Sequence, residues 1–491
     1  MLLSRFLKRN APPAGRIPGS LVSWSQLNGR ALGGLRHAHA MAPRVVVLGS
    51  GWAGFEMLRD LNKSYYDVTV VSPRNYFVFT PLLASTSVGT LEFRCIVEPV
   101  RSKTDKVSFY EATCDAVDVT NQTLSCTSQF NGGAKHQFTV PYDILIVAVG
   151  ARSNTFGIPG VGEHALFLKD IKDARKIRQR VIACFERASQ PYLTAEQQRE
   201  ILHFAVVGGG PTGVEFSGEL SDFIRDDLSK IYPTLMDKVS MSVYDIAPTI
   251  LSTFDSHLAN YASKRFQRQG IHIRTKTQIT TVTASHLVVD DSQRIPYGML
   301  VWATGVSPTP LVQALGKVVA KDTRSGRLVT DGHLRLLHPD CSTPFTNIFS
   351  LGDCAGSKDN PLPATAQVAK QQAIYLSKVL NRVRRYSNWS VGDEKPFTYH
   401  HLGSMAYIGG WKAIFDPSDG KSKVSPSTNG QAVIEKLDRK QWLTKYVSEG
   451  RLAWLFWRVS YFTMSVSLKN KILIPAYWFL TWVLGRDISR F

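Results

Sequence analysis

Two glycine clusters and a pair of glutamines are the residues whose types and spacing point first to chemistry. Gly49, Gly51 and Gly54 fall within "RVVVLGSGWAG", and Gly208, Gly210 and Gly213 within "FAVVGGGPTGVEFSGEL". Their G-x-G-x-x-G spacing suits the pyrophosphate of a dinucleotide. The first glycine permits a tight turn, the second lets phosphate reach the backbone, and the third lets helix pack on strand. Gln367 and Gln371 stand four apart in "PATAQVAKQQAIYL", so on a helix they share a face. Ala366, Val368, Ala369 and Ala373 surround them, and a solvated face is an incomplete explanation for two neutral amides there.

Strands and helices must position these groups. Each glycine cluster follows a β-branched run and precedes an apolar helix, whose free N–H groups and positive dipole end suit phosphate. After the first cluster, the strand "DVTVVS" ends on Ser72, Pro73 and Arg74, where an acidic ribose partner is missing. After the second, "VSMSVYDIAP" puts Asp245 at its strand end, displaced by the amphipathic segment 223–238. Asp245 either accepts both ribose hydroxyls, favouring NAD(H) over NADP(H), or is a solvated strand-end charge. Returning strands end in small-residue turns at Gly150 ("YDILIVAVGA") and Gly305 ("GMLVWATG"), and "TNIFSLGDCA" closes on Gly352-Asp353. Two dinucleotides in one chain suggest a flavin bound permanently and a nicotinamide that comes and goes; a duplicated fold with one dead site is the alternative.

At 491 residues the chain predicts two or three domains. The net charge is +19, yet Met1 to Phe55 contain no acid, against Arg5, Lys8, Arg9, Arg16, Arg30, Arg36 and Arg44. Such a start reads as a mitochondrial transit peptide over residues 1–40, or else as a disordered basic arm. The six cysteines show no metal or C-x-x-C spacing, and no metal is expected. Residues 55–94 hold no cysteine, which excludes a redox-active pair just after the first cluster.

The order of motifs resembles the pyridine-nucleotide-disulfide oxidoreductase superfamily. Within it, "SPRNYFVFTPLLASTSVGT", "IPYGMLVWATG", "LPATAQVAKQQA" and "LGSMAYIGG" join the glycine clusters in resembling the type II NADH:ubiquinone oxidoreductases, which pump no protons. The resemblance implies an α/β fold of two Rossmann-like, doubly wound domains, the NAD domain inserted in the FAD domain, with a C-terminal membrane-anchoring segment. The expected division is 41–165 and 331–395 for FAD, 166–330 for NADH, and 396–491 for the anchor. It also implies hydride transfer from NADH to FAD, then two-electron reduction of ubiquinone. By the same resemblance Thr80, Pro81 and Leu82 run along the flavin and Asp353 receives its sugar-alcohol chain; Trp52, inside the first glycine motif, is placed to lie beside the flavin or is a core aromatic. Glu215 would lie near the nicotinamide with a proton-handling or positioning role, the bland alternative being an acid that complements the helix dipole. Gln367 and Gln371 take the positions of the family's A-Q-x-x-x-Q quinone motif, with Ala366 leaving room for the head group; amides that merely cap loops are the alternative. Gln372 is expected to be solvated, Glu219 to be structural, and Lys370 stands where relatives often carry histidine.

The tail, residues 451–491, holds Trp454, Trp457, Trp478 and Trp482 and six Lys/Arg against Asp487 alone. Arg458 and Pro475 interrupt its apolar runs, so neither reaches the roughly 20 residues of a spanning helix. It reads as a monotopic anchor at the lipid surface of the inner mitochondrial membrane; a buried helix pair or a homodimer interface are the alternatives. Deleting it is expected to release the protein from membranes and spare NADH oxidation. A soluble reductase of a protein electron carrier and an apoptosis-inducing-factor-like flavoprotein are the rival functions. The tail argues against the first, and the lack of a long basic cluster elsewhere argues against nucleic acid and the second.

Overall fold

The structure, a computed structural model, describes residues 42–489 apart from 104–105, 129, 131–135, 291, 359–360, 387–389, 419–447 and 466. The expected transit peptide lies outside the described residues. Arg44–Leu48 is buried along nearly its whole length and pairs in parallel with Asp67–Ser72 on one side and Ile144–Val147 on the other. Parallel strands covered on both faces need such continuous apolar runs. Pro344–Ser350 adds in parallel beside Ile144–Val147. The ten-stranded sheet therefore draws strands both from 44–147 and from 328–357.

Between those two stretches the chain builds a separate five-stranded parallel sheet. Its order is Leu166–Phe167, Met299–Trp302, His203–Val207, Ser240–Tyr244 and Ile271–Arg274. Helix Pro211–Phe223 follows its central strand and runs on through a π-helical turn, Ile224–Leu228, into Ser229–Ile231. This extension accounts for the extra residues before Asp245.

Helix Ala366–Arg385, capped by the Thr365 hydroxyl, packs along helix Trp52–Asp60. The Asn381 amide fastens the two, accepting from Asn62 N and donating to Asp60 O at 2.9 Å each. Strands Ser404–Tyr407, Ala413–Asp416 and Glu449–Gly450 form a small antiparallel sheet, and helices Arg451–Met464 and Leu468–Leu484 follow. Among the described residues no helix is long and apolar enough to cross a membrane. The inner face of this pair buries Ala453, Trp457 and Ile474. Leu452, Leu455, Phe456 and Val459 form an exposed stripe at helical spacing, and Leu468, Ile472, Phe479, Leu480 and Val483 are likewise exposed.

Candidate functional site

The two glycine clusters fold into the same device. Gly49 and Gly208 have φ of +105° and +115°, a left-handed region open to glycine. Each donates its N–H to the strand that follows in the unit, Gly49 to Val71 O (2.9 Å) and Gly208 to Tyr244 O (2.8 Å). A Cβ on Gly54 or Gly213 would lie 1.9 Å from the carbonyl oxygen of Gly49 or Gly208. By contrast, a Cβ on Gly51 or Gly210 would meet nothing within 4 Å. Neither helix N-terminus carries a side-chain cap or an acid in its first turn, so its N–H groups and dipole face open space. These residues fit a dinucleotide pyrophosphate at both clusters.

What differs is the end of the next strand. Asp245 accepts from Gly209 N and, at 2.7 Å, from Ala247 N, which holds its carboxylate against the second glycine turn. In the first unit Ser72 occupies that place and its hydroxyl meets Ser50 at 2.8 Å. Beside the first cradle the Trp52 indole donates to Thr80 Oγ1 at 3.0 Å, Pro81 is half-buried and Leu82 fully buried. Gly150 and Gly305 sit in turns with φ of +64° and +71°.

Gly352, at φ +72°, packs against helix Ala366–Arg385, and a Cβ there would lie 3.2 Å from Ala369 Cβ. Its N–H donates to Gln372 Oε1 at 2.7 Å. Gln372 is thus buried and supports the Gly352-Asp353 turn, contrary to the expectation from sequence that it is solvated. Its position four residues after Val368 and three after Ala369, both buried, was the available signal. Sequence gave no sign that Lys169 would lie half-buried near Asp353, whose charge opposes the lowering of its pKa by burial.

Gln367 and Gln371 share a face, but their amides are engaged by the chain itself. Gln367 donates to Gly403 O (2.8 Å) and accepts from Leu402 N (3.2 Å) and the Tyr399 hydroxyl (3.3 Å). Gln371 exchanges both bonds with His400, donating at 2.8 Å and accepting at 3.0 Å. The pair clamps segment 399–403 onto the helix. The charge of Lys370 acts on Glu56 of the neighbouring helix, where burial pushes the carboxyl pKa up against the pull of Lys370 and Arg59.

Glu215 stands on the buried face of helix Pro211–Phe223 and is 8% exposed. Its Oε1 accepts from Trp457 Nε1 (3.1 Å) and Tyr407 N (3.2 Å). Burial pushes its carboxyl up to about 8, against the pull of those two donors. Along the same face Glu219 accepts from Ser85 (2.6 Å) and Thr90 (2.8 Å), and Asp222 from Gly410 N (2.9 Å) and the Tyr407 hydroxyl. Asp227 binds Arg486 through its backbone N–H (3.1 Å) and Nη1 (2.6 Å). Every acid on this face is tied to a neighbouring element, and residues between Tyr407 and Arg486 supply most of the ties. Deleting 451–491 would strip donors from Glu215 and Asp227 inside the protein, so the expectation that it spares NADH oxidation does not survive.

Residues 43–373 match the pyridine nucleotide-disulphide oxidoreductase family, and residues 401–487 match the NDH2 C-terminal domain. The chain is 39% identical to the mitochondrial internal alternative NAD(P)H-ubiquinone oxidoreductase A1 of Solanum tuberosum, over 91% of this chain and 88% of that protein. It is 36% identical to a probable mitochondrial NADH-ubiquinone oxidoreductase of Schizosaccharomyces pombe, over 91% of this chain and 83% of the relative. Among solved structures it resembles NDH2 of Plasmodium falciparum in complex with NADH, with a TM-score of 0.78, 26% identity, and coverage of 91% and 100%.

Proposed function

The chain belongs to the pyridine nucleotide-disulphide oxidoreductase family, in its type II NADH:ubiquinone oxidoreductase branch, and we infer that it passes two electrons from NADH through FAD to ubiquinone. The observation that carries this reading is the repeated cradle, open at Gly51 and again at Gly210, in two separate sheets of one chain. The cradle without a strand-end acid suits FAD, and the one closed by Asp245 suits NADH. FAD supplies, when bound, the two-electron exchange between nicotinamide and quinone.

The chain's own residues bind, orient and move protons. Trp52 and Thr80, joined by a hydrogen bond, would hold one edge of the flavin site, with Pro81 and Leu82 lining it. Gly352 and Asp353 would receive the sugar-alcohol chain, on a turn that Gln372 steadies. Glu215 keeps a proton at neutral pH and can release it at the site. Gln367 and Gln371 act on the quinone chiefly by fixing segment 399–403 at the quinone side, each retaining one amide hydrogen beyond the bonds described. A division into FAD segments 41–165 and 331–395, an NADH segment 166–330 and a C-terminal segment 396–491 accords with the nested sheets.

Purification in detergent, flavin identification, and stopped-flow reduction with NADH and NADPH followed by quinol formation test this reading. Reduction of FAD by NADH without quinol formation would reject it in favour of a carrier reductase. For the nucleotide, Asp245→Asn is expected to raise the KM for NADH about 10-fold, the effect of one charge-assisted bond to ribose, with flavin content unchanged. An unaltered KM would leave Asp245 as a brace for Gly209 alone.

The outward apolar stripes of helices Arg451–Met464 and Leu468–Leu484, with Lys469 and Lys471 beside them, support a monotopic seat on the inner mitochondrial membrane. Because Trp457 on the inner face binds Glu215 and Arg486, just beyond the pair, binds Asp227, the test must spare both. Leu455→Glu with Ile472→Glu changes the outer face alone, removing about 1.5–3 kcal/mol of apolar burial per site. At least a tenfold drop in co-sedimentation with vesicles is expected. Unchanged sedimentation, or a dimer that dissociates in the variant, would assign these stripes to a second copy of the chain.

A further inference from the structure

We infer that Trp457 is a positioning residue for the reaction: its indole N–H, beside the backbone N–H of Tyr407, fixes Glu215 so that Oε2 carries the exchangeable proton. This rests on the role proposed for Glu215. Both donors converge on Oε1, at 3.1 and 3.2 Å. An oxygen that accepts two N–H bonds behaves as the carbonyl oxygen of the protonated acid, since its own hydrogen would face two donors. Among the described residues Oε2 takes no hydrogen bond, so the proton is left there. A carboxyl free to rotate would exchange the two oxygens and present its proton in either direction.

Trp457 is itself held from several sides. Its ring lies 4.9 Å from Tyr461 and 5.6 Å from Tyr407. The next residue, Arg458, is locked between the Trp454 and Trp478 rings, at 4.4 and 4.3 Å from their centroids. Tyr461 meets Phe79 at 6.1 Å, and Phe79 meets Trp52 at 5.4 Å. A row of aromatics thus runs from the first glycine cluster to the carboxyl on the second cluster's helix. The helix that carries the outward apolar stripe therefore has a second task on its inner face.

Few other groups face Glu215. Its own helix presents Glu219, whose charge adds to the cost of ionising it, and helix Arg451–Met464 presents Tyr461. The strand Ser404–Tyr407 presents the Tyr407 hydroxyl, which is bound to Asp222. None of these replaces the indole N–H.

Trp457→Phe keeps an aromatic ring and removes the donor; Trp457→His restores a ring N–H in a smaller volume. In the detergent-purified holoenzyme, infrared titration of the carboxyl stretch, assigned by its disappearance in Glu215→Gln, reads this group's protonation directly. Loss of a hydrogen bond to the charged form should move the midpoint upward by about one pH unit in Trp457→Phe. It should return toward the wild-type value in Trp457→His, and the pH profile of NADH-driven turnover should move in parallel. A midpoint that stays in place in Trp457→Phe, or moves equally in both variants, overturns the inference. If the midpoint moves as expected while turnover ignores both Trp457→Phe and Glu215→Gln, the positioning stands and the proposed role of Glu215 falls.

Discussion

Glu215→Gln is expected to lower quinone turnover about 100-fold at neutral pH, the lower end of what a positioned acid or base contributes. The amide can still accept from Trp457 and Tyr407 through its oxygen, so the geometry of the helix and its partners is retained. What disappears is the exchangeable proton and any pH inflection near 8, the value to which burial raises the carboxyl. The sign for stability follows from the same shift. The folded carboxyl titrates above its ordinary value of 4.5, so between about 4.5 and 8 the folded state holds a proton that the unfolded state has released. Stability falls as pH rises through that window, and Glu215→Gln should escape the fall. Measuring flavin reduction and quinol formation separately across pH checks the first claim, and melting midpoints across pH check the second. Wild-type rates in both half-reactions at every pH would remove Glu215 from the chemistry.

Arg486→Gln is expected to produce the largest loss of stability, about 3–5 kcal/mol at the C-terminal interface. The Arg486 side chain is 10% exposed, and it faces Asp227 at 2.6 Å and Glu219 at 3.9 Å, both nearly buried. Its Nε also donates to Thr90 at 3.0 Å. Removing the guanidinium leaves two acids inside the protein without their counter-charge, and desolvated charge without a partner is costly. The thermal midpoint of the holoenzyme should drop clearly, and adding Asp227→Asn to Arg486→Gln should recover part of the loss. An unchanged midpoint would show that the pair is exposed enough for water to replace Arg486. Because Glu219 shares the helix of Glu215, the unstable variant should also lose turnover before it loses FAD.

The cradles were legible in the sequence because their constraints are local. A turn, a close approach and a helix start are fixed within six residues, and only glycine meets the backbone demands at Gly49 and Gly208. Asp245 was legible for a related reason, since strand and helix lengths alone bring a strand end back to the turn that precedes it. The inner face of helix Ala366–Arg385 was half-read. The i, i+4 rule placed Gln367 and Gln371 together, but it assigned Gln372 to solvent although Val368 and Ala369 put it on the buried side.

Sequence by itself determined the two dinucleotide folds, the strand-end place of Asp245 and the aromatic, basic tail. Only the tertiary structure decided what the polar side chains meet. Trp457 lies 242 residues from Glu215 and Arg486 lies 259 from Asp227, and no local period encodes such pairings. Gln367 and Gln371, 36 and 29 residues from the carbonyls they bind, became a clamp on segment 399–403. The physical reason is one of range: backbone geometry is set by neighbours in the chain, whereas the partner of a buried polar group is set by whatever the folded chain carries past it.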